Sequence, residues 1–195
     1  MASGFNHRLL LWPLLALPAG LILQQLWSGT LPMKLYASSG EWSLRLMILA
    51  LLPGPLTEFF GRPAWLRGWL KIRRNLGVAA FAYGALHLLI YVLDMQQLAA
   101  MLDELTLPAI WTGWLALLAL LVPAAISFDA AMRALRRRWQ QLQYLVYPAC
   151  LLALAHWLLL AWSWIPVVLH ALPLTIAWGL RALARTGIHH RRSAS

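Results

Sequence analysis

Six long apolar runs, at residues 9–27, 42–60, 73–91, 107–128, 139–162 and 165–183, alternate along the chain with short polar or charged stretches. About 20 consecutive apolar residues wound as a helix span the hydrocarbon core of a bilayer. The pattern therefore predicts an all-α integral membrane bundle of six helices. A cleavable signal peptide competes for the first run, since Ala16-Leu17-Pro18-Ala19 resembles a cleavage region. The run stays apolar past that point to Leu23, which favours a retained helix bent at Pro13 and Pro18. Residues 28–41 read as an external loop with Gly29, Pro32 and Gly40 as breakers. Pro53-Gly54-Pro55 interrupts the second run, and Arg45 and Glu58 near its two ends read as snorkelling side chains.

Charge gives the runs a direction. The segment before the third run, GRPAWLRGWLKIRR, carries Arg62, Arg67, Lys71, Arg73 and Arg74 with no acid. Residues 129–138 carry Arg133, Arg136, Arg137 and Arg138, and the tail carries Arg181, Arg185, Arg191 and Arg192. The loop after the third run holds Asp94, Asp103 and Glu104 and no basic residue. Of sixteen Lys and Arg, only Lys34 and Arg45 fall on the acidic side. Basic loops stay inside, so both termini are expected in the cytoplasm of a multi-pass inner (plasma) membrane protein. The expected division is a cytoplasmic N-terminus at 1–8, a transmembrane domain at 9–185 and a cytoplasmic tail at 186–195, which includes His189 and His190 as mobile residues.

Composition sharpens this picture in three places. At 62% hydrophobic residues and mean hydropathy +0.67, the 195-residue chain is far more apolar than a soluble domain. A net charge of +10 would point to nucleic acid in a soluble protein. Here the charge lies in clusters between apolar runs, which reads as membrane topology and contact with lipid rather than a nucleic-acid surface. The lone cysteine, Cys150, excludes an intramolecular disulfide and a Cys-x-x-Cys-His haem attachment.

Candidate chemistry centres on histidines inside the runs. An ionisable group within a membrane helix is costly and marks a functional site by default. Gly77, Ala80, Gly84 and His87 fall within an arc of about 80° on one helical face, a trough of small residues ending in an imidazole. Ala149, Ala153 and His156 repeat that arrangement in the fifth run. His87 lies about 20 Å from Arg74 along its helix, and His156 about 25 Å from Arg138. Both belong to the outer half, at a depth that suits axial ligation of one non-covalent haem b. The competing reading has each histidine hydrogen-bonded to a neighbouring helix. His170, about 8 Å from the outer end of the sixth run, is compatible in depth as a replacement ligand, a propionate partner or an interfacial residue.

The segments RRNLGV…LHLLIYV and RRRWQQLQYLVYP…LAHWLL resemble the ferric-reductase-like transmembrane domain superfamily, and more closely the MsrQ (YedZ) family. The resemblance covers roughly residues 9–185. It implies a haem-binding membrane subunit that passes electrons across the inner membrane to a periplasmic molybdenum-containing methionine sulfoxide reductase. It also implies FMN, a cytosolic flavin reductase or membrane quinol as electron source, and His87 and His156 as haem ligands. One position departs: where the family has a further histidine in WQQLH, this chain has Gln143, whose amide is a poor iron ligand. Gln143 then reads as a hydrogen-bond donor to a quinone or cofactor, or as a cap on the fifth helix. The segment PGPLTEFF also lacks the family's Thr-Pro-Leu-Arg.

No Gly-x-Gly-x-x-Gly segment follows a strand pattern, so hydride transfer from a nicotinamide is not expected of this chain alone. Three readings follow: an electron-transfer subunit, a quinol-linked or ferric-reducing haem protein with another partner, and a non-redox membrane protein.

Overall fold

The computed structural model describes residues 7–193, with side chains described for 10–186. Ten α-helices are present among them: α1 His7–Trp27, α2 Tyr36–Leu51, α3 Pro53–Phe60, α4 Ala64–Met95, α5 Leu98–Glu104, α6 Pro108–Ala125, α7 Asp129–Leu135, α8 Arg137–Gln143, α9 Val146–Leu160 and α10 Ile165–Ser193. No strand occurs among the described residues. By length and composition six segments can cross a membrane: Leu10–Trp27, Pro32–Phe60, Ala64–Met95, Pro108–Ala125, Arg137–Leu160 and Ile165–Thr186.

The expected loop at 28–41 is largely helical. A 3-10 turn, Pro32–Leu35, leads directly into α2. The sequence YASSGE reads as a loop because serine and glycine compete with helix formation. Here the Ser38 and Ser39 hydroxyls both bond back to the Leu35 carbonyl, at 3.0 and 2.9 Å, so the polar residues are absorbed into the helix. The basic stretches are helical as well. Arg67, Lys71, Arg73 and Arg74 sit on the first turns of α4, whose 32 residues make it about 48 Å long. Residues 129–138 form α7 and the start of α8. The tail continues α10 to Ser193; the side chains of His189 and His190 lie outside the described ones, as do residues 1–6 and 194–195 altogether.

Two of the prolines are accommodated by neighbours, as a membrane demands where water cannot satisfy a freed backbone group. Pro53 cannot donate to the Leu49 carbonyl, and Trp69 Nε1 of α4 supplies that bond at 2.9 Å. Beside Pro18, the Tyr83 hydroxyl is inserted into the α1 ladder. It donates to the Leu15 carbonyl at 2.7 Å and accepts from the Ala19 amide at 2.8 Å. Those two groups would otherwise bond each other, so the tyrosine holds the opened turn and ties α1 to α4.

Two helix pairs, α2–α4 and α6–α9, make the most extensive contacts. In the first pair Ser43 Oγ donates to the Ala80 carbonyl at 2.8 Å. The apolar core runs from Leu44, Leu46, Met47, Ile48 and Leu51 on α2 through Leu76, Ala80, Tyr83 and Ile90 on α4 to Leu120 and Ala149. Neither Arg45 nor Glu58 is a free snorkelling charge. Arg45 pairs with Glu41 and donates Nε–H to His170 Nε2 at 3.0 Å. Glu58 lies 2.7 Å from Arg181 and 2.9 Å from Arg185, joining α3 to α10. At the same basic end Arg74 pairs with Asp129. The opposite, acidic end is closed by Tyr36 donating to Asp94 at 2.6 Å and Tyr91 donating to Glu104 at 2.7 Å.

Candidate functional site: a facing pair of imidazoles

Each helix pair brings one histidine to the junction between them, near the acidic end. His87 projects from α4 and His156 from α9, 69 residues apart in sequence, yet their ring centres lie 6.1 Å apart with planes 83° to each other. Two imidazoles whose nitrogens each lie about 2 Å from one metal have ring centres no more than about 6 Å apart, so the separation lies at the upper end of what a shared metal allows.

The hydrogen bonds fix which nitrogen is free. His156 Nδ1 lies 2.5 Å from the Ala109 carbonyl on α6. A carbonyl has no proton to give, so Nδ1 carries the hydrogen and donates it. His87 Nδ1 faces the Tyr36 carbonyl at 3.2 Å and the Ser39 hydroxyl at 3.0 Å, both on α2. The same reasoning puts the hydrogen on its Nδ1. Both Nε2 atoms then hold an available lone pair, and among the described residues neither makes a hydrogen bond. Histidine ligands in metal sites commonly have this arrangement, with the second nitrogen donating to a carbonyl or carboxylate.

A glycine lies against each ring, and for His156 it is what makes room. A Cβ on Gly113 of α6 would lie 2.7 Å from His156 Nδ1 and 2.8 Å from its Cε1. A Cβ on Gly40 of α2 would lie 3.4 Å from His87 Cε1 and Nδ1. His156 thus occupies space that any side chain at Gly113 would take. The edge of Tyr36 also packs on His87, with ring centres 5.9 Å apart. The donor set fits a bis-imidazole metal or haem centre: two neutral imidazoles with free Nε2 atoms, each held by an acceptor on the adjoining helix.

The other expected site residues fall in different places. Ala80 and Ala149 are fully buried and Ala153 half-buried. Gly84 faces Leu117 and Ser43, whose nearest atoms would lie 3.1 and 3.3 Å from an added Cβ, whereas Gly77 faces open space. His170 does not join the imidazole pair. Its Nδ1 bonds the Pro166 carbonyl at 2.8 Å, its Nε2 accepts from Arg45, and its ring lies edge-on to Trp157 at 4.9 Å. Gln143 caps α6 rather than the fifth span: its Nε2 donates to the Pro123 carbonyl at 3.1 Å and lies 3.4 Å from Ser127 Oγ. Trp139 Nε1 completes that cap on the Ile126 carbonyl at 3.1 Å. The sequence reading missed Tyr36, Ser39, Gly40, Ala109 and Gly113. The first three lay in the presumed loop. Gly113 carried one available signal, a glycine within an apolar helix, which often marks close approach between helices.

Residues 39–154 match the family described as ferric reductase like transmembrane component. A protein of Azospira oryzae, the protein-methionine-sulfoxide reductase heme-binding subunit MsrQ, is 36% identical over 187 residues, covering 90% of this chain and 78% of that protein. Proteins with the same name from Bordetella pertussis and Xanthomonas campestris pv. campestris are 37% and 39% identical over 122 residues. Those alignments cover 61% and 60% of this chain but only 57% and 54% of the relatives, little more than half their length. No solved structure matches the chain. With its helix pairs meeting at two imidazoles and relatives of this kind along most of its length, the chain belongs to the ferric reductase like transmembrane component family, and within it to the MsrQ proteins.

Proposed function

We propose that the chain is a b-type haem membrane subunit that carries electrons across the inner membrane to a periplasmic reductase, a molybdenum-containing methionine sulfoxide reductase. The observation that carries this reading is the His87–His156 pair, with both Nδ1 atoms donating and both Nε2 atoms free. His87 and His156 would hold the haem; Gly77, Ala80, Gly84, Ala149 and Ala153 lie on the same two helices. Bound there, haem supplies a one-electron iron couple within the bilayer. The chain's own residues orient the two imidazoles and raise their basicity through the Nδ1–H bonds.

Direction follows from charge. In this reading the acidic end faces the periplasm and the basic end, with both termini, faces the cytoplasm. The imidazole pair therefore sits on the acceptor's side. Electrons enter from the basic side, from quinol in the bilayer or from FMN and a cytosolic flavin reductase docked against the arginine-rich segments. With Gln143 engaged on the Pro123 carbonyl, the reading counts one haem. That departure also favours a second reading, a quinol-linked or ferric-reducing haem protein serving another partner.

The test is a reduced-minus-oxidised absorption spectrum of the purified protein. A b-type signal is expected, and His87→Ala and His156→Ala should each remove most of it. Full haem retention in either variant rejects the ligand assignment, and no signal in the unaltered protein rejects both readings. Reduction by quinol in the absence of any reductase partner, compared with reduction by flavin plus reductase, then identifies the donor.

A further inference from the structure

The haem reading leaves one buried polar side chain beside a ligand without an assigned role. Ser39 is fully buried on α2. Its single hydroxyl proton has three acceptors within reach: the Leu35 carbonyl at 2.9 Å, the Tyr36 carbonyl at 3.1 Å and His87 Nδ1 at 3.0 Å. Were the hydroxyl to donate to Nδ1, that nitrogen would carry no hydrogen and its lone pair would face the Tyr36 carbonyl at 3.2 Å. Two acceptors would then oppose each other in a buried site, at the cost of an unmade hydrogen bond. With the hydroxyl proton on the Leu35 carbonyl, the usual back-bond of a helical serine, every group is satisfied. Nδ1–H is shared between Tyr36 O and Ser39 Oγ, and the serine oxygen is the nearer.

We infer that Ser39 is a positioning residue for His87: its hydroxyl accepts the imidazole Nδ1–H and, with the Tyr36 carbonyl, fixes the ring's rotation and electron donation to a metal at Nε2. This rests on the proposed haem ligation. Such partners of a metal-bound imidazole typically change metal affinity 10- to 100-fold. Because the Tyr36 carbonyl remains when Ser39 is lost, the lower end applies. Loss of an acceptor at Nδ1 makes the imidazole a weaker donor, which disfavours the ferric state and moves the potential in the positive direction.

The experiment uses the full chain, purified in detergent, as Ser39→Ala and Ser39→Thr. Haem affinity, midpoint potential and the low-spin ferric electron-paramagnetic-resonance signal are measured. Ser39→Ala is expected to bind haem about tenfold more weakly, with a more positive potential and a shifted resonance, while Ser39→Thr, which keeps the hydroxyl, restores the potential and the resonance. If Ser39→Ala leaves all three unchanged, the inference is wrong and the haem reading stands. If Ser39→Ala and Ser39→Thr are altered alike, the residue matters for volume and the inference is again wrong. An unaltered protein without haem removes both together.

Discussion

The α2–α4 and α6–α9 pairs reach the same result by different means. Each presents an imidazole whose Nδ1–H is held by the adjoining helix, which leaves Nε2 free. In α2–α4 the seat is built by a hydroxyl and a carbonyl from one helical turn, and a Cβ at Gly40 would make only ordinary contact at 3.4 Å. That turn is pinned again where the Tyr36 hydroxyl donates to Asp94. In α6–α9 the seat is a single backbone carbonyl, Ala109 O, and the ring lies so close to α6 that Gly113 cannot carry a side chain. A seat made by a side chain can be retuned by substitution. A seat made by backbone alone is fixed by distance, and its vulnerable point is the glycine that permits the approach.

Gly113→Ala should therefore break the α6–α9 seat outright. The added methyl would displace His156, and haem binding should fall at least about tenfold, by the logic that applies to other loss of ligand support. Alanine is a better helix former than glycine by about 0.5–1 kcal/mol. Loss of the His156 Nδ1–H bond to Ala109 costs about 0.5–1.5 kcal/mol, which offsets that gain. Thermal unfolding of the haem-free variant should therefore change little, and a large fall there would mean a folding defect instead. The matching change on the other side, Gly40→Ala, should leave the haem spectrum intact and raise stability by up to about 1 kcal/mol. Equal haem loss in both variants would erase the distinction between the two seats. The smallest effect concerns the far end of the α6–α9 pair. Gln143→Ala removes the amide on the Pro123 carbonyl and should cost about 0.5–1.5 kcal/mol of stability, measured by thermal unfolding, with no change in the haem spectrum. A spectral change there would assign Gln143 to a cofactor.

The histidines were legible because an imidazole inside an apolar run has few inexpensive explanations in a membrane. Their depth could be estimated from helical rise, and the structure brings them to 6.1 Å. Tyr36, Ser39 and Gly40 were hidden for a local reason. A polar, glycine-containing hexapeptide has weak helix propensity by itself, and only its contact with α4 makes it helical at an interface. Of the two roles the sequence offers Gln143, the cap falls on another helix than the fifth, because the Pro123 carbonyl it covers is 20 residues away in sequence. Arg45 and Glu58 were read singly, whereas their partners Glu41, His170, Arg181 and Arg185 are set mainly by α10, which returns past α2 and α3.

The sequence alone determined the six apolar crossings, the separation of basic from acidic ends and the two imidazoles within apolar runs. These depend on hydropathy, charge and helical rise, which act on neighbouring residues or along a single helix. Only the tertiary structure decided which nitrogen of each ring is free, that Gly113 makes room for His156 and which carbonyl Gln143 covers. Those outcomes depend on distances of about 3 Å between groups on different helices, and the order of residues along a chain does not contain such distances until the helices have packed.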